Sequence, residues 1–262
     1  MSLHRLSRTE LLIGAGGLEN LRRSKVVICG IGGVGSYAAE ALGRAGVGHI
    51  TLVDFDDICL TNVNRQLHAL TSTVGLTKVE VMARRLADIN PEAEVVAVKA
   101  FFSAANADEL LTPRPDYVLD AIDHFTAKLA LITFCRQQGI PVISSMGAAN
   151  KLDPTKIHVA DISATRNCRM ARSMRKLLRK IGIESGVNVV YSTEEHRELN
   201  PRAAFCGTEC ICPNRDDQVF RCENRRVILG SISHIPSIFG LTMAGVVVNE
   251  LLKVTARPVS HD

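Results

Sequence analysis

The sequence predicts an α/β fold built on a doubly wound, mostly parallel sheet. Three observations lead there. Short, β-branched apolar stretches alternate with helical ones up to about residue 150, and parallel strands need crossovers of that kind. A glycine-rich turn joins the first such stretch to a helix in "VVICGIGGVGSYAAEALGRAG". The chain has 262 residues, 46% of them hydrophobic, enough for the core of one large domain or two small ones.

In order, a leader is followed by "KVVICG" as a strand and "GVGSYAAEALGRAG" as an Ala-rich helix with Gly46 near its end. "HITLVDFD" is a second strand, and "GLTKVEVMARRLADINP" a helix stopped at Pro91. "AEVVAVKA" and "DYVLDAID" are the third and fourth strands, "FTAKLALITFCRQQGI" a helix and "PVISSM" a fifth strand. From about Lys151 the pattern changes to a strand in "TKIHVADIS", a basic helix in "CRMARSMRKLLRKIGI" and a strand in "GVNVVYST". A polar, cysteine-bearing loop runs from about Thr193 to Arg226, and "IPSIFGLTMAGVVVNELLKV" is a closing apolar helix. No repeat, linker or low-complexity tract interrupts the chain.

Composition narrows the class. No apolar run reaches the ~20 residues of a membrane span, and the amino terminus lacks the apolar stretch of a signal peptide, so a cytoplasmic protein without membrane contact is expected. Cys29, Cys59, Cys135 and Cys168 are scattered through strands and helices, as reduced thiols would be. A net charge of +4 does not by itself point to nucleic acid, so only its local distribution can.

Gly30, Gly32, Gly33 and Gly35 fit G-x-G-x-x-G after a strand and before a helix, a Rossmann-like arrangement in which the backbone approaches a phosphate. Asp54 ends the second strand, where a carboxylate meets ribose hydroxyls. Thus far NAD and ATP fit equally. The polar string after Asp54 separates them: Asp56, Asn62, Asn64, Arg65 and Gln66 crowd one loop, and Lys78 opens the next helix. A triphosphate undergoing displacement needs extra cations, which Arg65 and Lys78 supply. "DAID" places Asp120 and Asp123 at the carboxyl edge of the sheet, where a carboxylate can hold the Mg²⁺ that a triphosphate brings.

These residues, with "LVDFDDICLTNVNRQLHALTSTVGLTKVE" and "LDAID", resemble the ubiquitin-activating-enzyme-like (ThiF-type) adenylating superfamily, which includes activators of sulfur-carrier proteins. Within it, "TNVNRQLHAL", "SSMGAANKLDPTKIHVADIS", the basic helix and "VVYSTE" resemble the tRNA threonylcarbamoyladenosine dehydratases. The resemblance implies ATP-dependent cyclisation of threonylcarbamoyladenosine in tRNA, with Asp54 on ribose. Asn62, Arg65 and Gln66 would line the phosphate path, with Lys78 on phosphate charge and Asp123 on Mg²⁺. It implies one adenylating domain over residues 1–262, with 151–262 a substrate-facing extension. Residues 1–24 would lie at a homodimer interface, from which Arg8, or Arg5, reaches the partner's triphosphate.

Arg166, Arg169, Arg172, Arg175, Lys176, Arg179 and Lys180 fall in one stretch without an acid, while Met170, Met174, Leu177, Leu178 and Ile181 share another face. A solvated face normally mixes signs, so binding to the tRNA backbone is expected. Cys206, Cys210, Cys212 and Cys222 could complete a structural zinc site, although paired C-x-x-C knuckles are missing and free or redox-active thiols are the alternative. Two other functions compete. An adenylyltransferase acting on the carboxyl terminus of a small sulfur-carrier protein is disfavoured by the basic helix and the missing knuckles, while a sulfur-transfer partner is compatible with the family resemblance; an NAD-dependent oxidoreductase is disfavoured by Arg65, Lys78 and Asp123.

Overall fold

The computed structural model describes residues 3–197 and 229–253. Seven strands form one sheet: β1 (Lys25–Cys29), β2 (His49–Val53), β3 (Glu94–Val98), β4 (Tyr117–Asp120), β5 (Val142–Ser145), β6 (Ile157–Asp161) and β7 (Asn188–Ser192). Their spatial order is β3-β2-β1-β4-β5-β7-β6, and all pairs are parallel except β6 with β7. The chain winds from β1 outward through β2 and β3, then returns to the other side of β1 with β4. That reversal opens a crevice beyond the carboxyl ends of β1 and β4, the place where open α/β sheets bind ligands. Val26 pairs with both Ile50 and Tyr117, and Cys29 with both Val53 and Asp120, so the three strand ends stand level at that edge.

The helices are α1 (Ser7–Arg23), α2 (Gly35–Ala45), α3 (Lys78–Ile89), α4 (Ala107–Leu110), α5 (Phe125–Gln138), α6 (Arg169–Lys180) and α7 (His234–Lys253). One face of the sheet is covered by α2, α3 and α7, through Ala38, Leu42, Met82, Phe239 and Met243. The other is covered by α4 and α5, through Ala107, Leu131 and Cys135. A third cluster seats α6 on β7 and α5, through Met174, Leu178, Val189 and Ile132. Both faces of β1 and β4 are therefore buried, which is why these strands are continuous apolar runs rather than alternating ones.

Three features differ from the sequence reading. The leader is helical: α1 is broken by Gly14 at φ 75° and buries only Leu18 and Leu21, so it lacks the broad apolar stripe that marks a helix in sequence. The single turn α4 is too short for any periodicity to show. And α7 has 20 residues, long and apolar enough to span a membrane by length and composition. Its residues Ile235, Phe239, Met243, Val247 and Leu251 are buried at a spacing of four, which makes it a core helix laid along α2.

Candidate active site

The turn after β1 determines how closely a ligand can approach. Gly30 holds φ at +91°, and a Cβ there would stand 2.7 Å from the Ala121 carbonyl oxygen beyond β4. At Gly35, where α2 begins, a Cβ would overlap the Gly30 carbonyl oxygen. Side chains are excluded at both, and the chain folds back tightly between strand and helix. Gly33 packs against the Arg65 carbonyl oxygen and Pro236. Around Gly32, among the described residues, only the Gln66 side-chain amide lies within 4 Å of the position a Cβ would take. Among the described residues no side chain caps the start of α2. An open cradle at an uncapped helix start suits a phosphate, because backbone N–H groups and the helix dipole meet its charge.

The loop after β2 supplies the charge. Asp54 Oδ2 accepts the Ile31 N–H at 2.6 Å and Oδ1 accepts the Asp56 N–H at 2.8 Å, so this carboxylate ties the glycine turn to the loop. Burial raises the Asp54 pKa, and the Lys78 ammonium opposes that rise. Lys78 is buried at the first turn of α3, with Nζ 2.6 Å from Asp56 Oδ2. Asn62 is held by its own loop, its Oδ1 accepting the Cys59 N–H at 3.1 Å. Arg65 is half-buried and donates from Nη1 to Thr61 O and Asn64 Oδ1. Gln66 is buried, and its Oε1 accepts no hydrogen bond among the described residues. The glycines, Asp54, Asp56, Arg65, Gln66 and Lys78 are thus brought to one corner of the sheet edge.

Beyond β4 the two aspartates part. Asp120 is fully buried: Oδ2 accepts Lys128 Nζ at 2.8 Å and Ser144 Oγ at 2.6 Å, while Oδ1 accepts the Ile122 N–H. The Asp120 oxygens therefore serve the interior rather than the sheet edge. Lys128 is itself fully buried and donates also to Ser144 Oγ and Ser145 O. Asp123 is exposed, two residues past the Ala121 carbonyl that touches Gly30. Among the described residues no three His, Cys, Asp or Glu side chains gather as a metal site. Mg²⁺ does not require such a cluster, since it takes one or two carboxylates and completes its shell with phosphate oxygens and water.

Several residues at this edge escaped the sequence reading. Phe55, Phe101 and His124 stack edge to face, with centroids 5.3 and 5.5 Å apart, across the ends of β2, β3 and β4. His68, buried in the loop that follows β2, has no hydrogen bond at either ring nitrogen among the described residues. Burial and the nearby Lys78 charge lower its pKa to about 3. Lys128 did leave a signal, as a lone lysine in the stripe formed with Leu131, Ile132 and Cys135.

The basic helix begins at the same edge, with Met170 against Gly147 just past β5. Arg166, Arg169, Arg172, Lys176, Arg179 and Lys180 are exposed. Arg175 turns inward, its Nη1 donating to the Thr165 carbonyl at 3.0 Å and to the Thr165 hydroxyl, so it fastens α6 to the preceding loop. Arg5 donates from Nη1 to the carbonyl of Ile89 at the end of α3, and Leu6 lies against Gly46 at the end of α2. Both helix ends are at the amino edge, so Arg5 and the exposed Arg8 sit across the sheet from their own glycine turn. Cys206, Cys210, Cys212 and Cys222 lie outside the described residues.

Known proteins share this architecture. The chain is 47% identical over 251 residues to the tRNA threonylcarbamoyladenosine dehydratase of Bacillus subtilis, covering 96% of each chain. The crystal structure of the Escherichia coli tRNA N6-threonylcarbamoyladenosine dehydratase in complex with ATP superposes with a TM-score of 0.82 at 35% identity, over 97% of this chain and 96% of that one. The molybdopterin-synthase adenylyltransferase of E. coli is more distant, 37% identical over 137 residues, covering 52% of this chain and 54% of its own. The description of one family covers residues 6–261, nearly the whole sequence. The chain belongs to the ThiF family.

Proposed function

We propose that this chain is an ATP-dependent tRNA threonylcarbamoyladenosine dehydratase, which closes the threonylcarbamoyl group of the modified adenosine into a ring. The observation that carries the reading is the match to the B. subtilis dehydratase along nearly the full length of both chains. The site adds the chemistry. A carboxylate is a poor electrophile and hydroxide a poor leaving group, and adenylation removes both difficulties. The threonyl carboxylate attacks the α-phosphate of ATP and pyrophosphate leaves. The ureido oxygen then attacks the acyl carbon, AMP departs, and the product is lighter by one water.

In this reading the Gly30–Gly35 turn cradles phosphate and Asp54 orients the ribose through its remaining lone pairs. Asn62, Arg65 and Gln66 line the phosphate path. Lys78, released from Asp56, neutralises charge that builds on the leaving pyrophosphate. Asp123 would hold Mg²⁺, which supplies charge neutralisation to the phosphates when bound. No nucleophilic side chain is needed. Arg8, too far from its own glycine turn, serves the site of a second copy. Leu11 and Leu12 of α1, 82% and 85% exposed, give that copy an apolar surface to cover in a homodimer. Residues 151–262 face the substrate, with α6 along the tRNA backbone, and the reaction belongs to the cytoplasm. Cys206, Cys210, Cys212 and Cys222 form a structural zinc site in this reading, to be checked as one zinc per chain by elemental analysis.

Mass spectrometry of digested tRNA tests the proposal. Threonylcarbamoyl-modified tRNA should yield a nucleoside lighter by one water only when ATP and Mg²⁺ are both present. If a sulfur-carrier protein is adenylated instead and no such nucleoside forms, the adenylyltransferase reading replaces this one.

A further inference from the structure

Further along the carboxyl edge, the chain leaving β5 meets the chain leaving β7. Asn150 holds a left-handed backbone (φ 58°), which Asn tolerates better than most residues. Its side chain is buried, with Nδ2 3.0 Å from Nε2 of His196, and its buried Oδ1 has no hydrogen-bond partner among the described residues. Lys151, also buried, donates from Nζ to the Glu194 carbonyl at 2.6 Å. Burial lowers the His196 pKa, and the Arg169 and Lys151 charges lower it further against an opposing hydrogen bond to the Arg197 backbone; the net shift favours the neutral imidazole. Among the described residues the acid here is Glu194, whose carboxylate accepts the N–H groups of Leu152 and Asp153 and pairs with Arg197, while its charge also acts on Lys151. Asn150 is bonded to His196, and Lys151 and Arg169 lie close enough for their charges to act on that imidazole, so two cations, an amide and an imidazole are grouped together.

That place adjoins the phosphate loop. Asn64 donates from Nδ2 to Ser231 O at 2.9 Å, and the Asn150 N–H donates to Gly230 O, also at 2.9 Å. Gly230 and Ser231 are consecutive, so about 3.8 Å of backbone separates the cluster's anchor from the anchor of the loop bearing Arg65.

We infer that Asn150, Lys151, Arg169 and His196 form the acceptor subsite, which holds the threonylcarbamoyl group against the phosphate loop. The inference rests on the dehydratase reading above and deepens it. The group is a urea ending in a carboxylate. Asn150 and His196 offer the mixed donors and acceptors that a urea requires, and Lys151 and Arg169 hold the carboxylate at hydrogen-bonding distance. Neutral adenine in unmodified tRNA presents neither feature, so the subsite discriminates between the two forms.

The test compares one tRNA in two forms, threonylcarbamoyl-modified and unmodified, binding to the full chain. Lys151→Met and His196→Ala should each reduce the preference for the modified form about tenfold, the size of one lost hydrogen bond to a charged group. Affinities for ATP and for unmodified tRNA should stay within about twofold of wild type. Asn150→Asp keeps a residue suited to the left-handed backbone, opposes the substrate carboxylate and should give the same loss if the other variants fold poorly. Variants that dehydrate tRNA with the wild-type preference overturn the inference and leave the function standing, as does a parallel loss of ATP affinity. A wild-type chain that neither prefers nor dehydrates the modified tRNA overturns both.

Discussion

Lys78 Nζ and Asp56 Oδ2 stand 2.6 Å apart with the lysine buried, while the Asp56 N–H holds Asp54. The cation expected to meet phosphate is thus stored against the carboxylate of Asp56, a residue whose backbone N–H also orders Asp54. Lys78→Ala should bind ATP yet lose about 3 kcal/mol of transition-state stabilisation, roughly 150-fold in the rate of product formation. Arg65→Ala should fall in the same range. Wild-type single-turnover rates from both variants would refute the assigned roles.

His68 should make the fold sensitive to acid. Its pKa is about 3 in the folded chain and near the ordinary 6.5 when unfolded. Between those values the unfolded chain binds a proton that the folded chain does not, so stability falls as pH drops from about 6.5 toward 3, by up to about 1.4 kcal/mol per pH unit. Above pH 6.5 both states are neutral and the effect vanishes. His68→Leu should flatten this part of the stability profile measured by urea unfolding, and an unchanged slope would rule out His68 as its source.

Lys128 and Asp120 form an ion pair with no exposed surface on either side. Removing one partner leaves a buried charge uncompensated, so Lys128→Met should cost about 3–5 kcal/mol in urea unfolding. Adding Asp120→Asn should restore part of that loss. A single variant within 1 kcal/mol of wild type, on the order of an ordinary surface substitution, would show that the pair carries no such weight.

For tRNA binding, the inward turn of Arg175 separates grip from fold. Arg172→Glu with Arg179→Glu should weaken tRNA binding and lower the slope of log affinity against log salt by about 0.7 to 0.9 per lost phosphate contact. ATP affinity should not move. Arg175→Glu should instead lower the melting temperature, because it breaks the bonds to Thr165. Equal effects from all three positions on the salt slope would contradict this division.

Much of this molecule is legible in its sequence, for reasons of spacing. Strands buried on both faces stand out as apolar runs, and the glycine turn, Asp54, Arg65 and Lys78 sit at intervals that local geometry imposes. Two kinds of feature are hidden. Elements with a narrow buried stripe or a single turn, α1 and α4, leave no periodic trace. Partnerships across the fold leave none either: Asn150 and His196 are 46 residues apart, and the inward turn of Arg175 depends on where Thr165 lies. Asp120 and Asp123 look alike in "DAID", yet one is a structural anion under the sheet edge and the other faces solvent.

Asn150 receives the chain on both sides of residues 198–228: its carbonyl accepts the Arg197 N–H, and its N–H donates to Gly230 O. The described residues on either side of that stretch are therefore tied to one residue. Because the two bonds share one residue, a change in the backbone of Asn150 displaces Arg197 and Gly230 together.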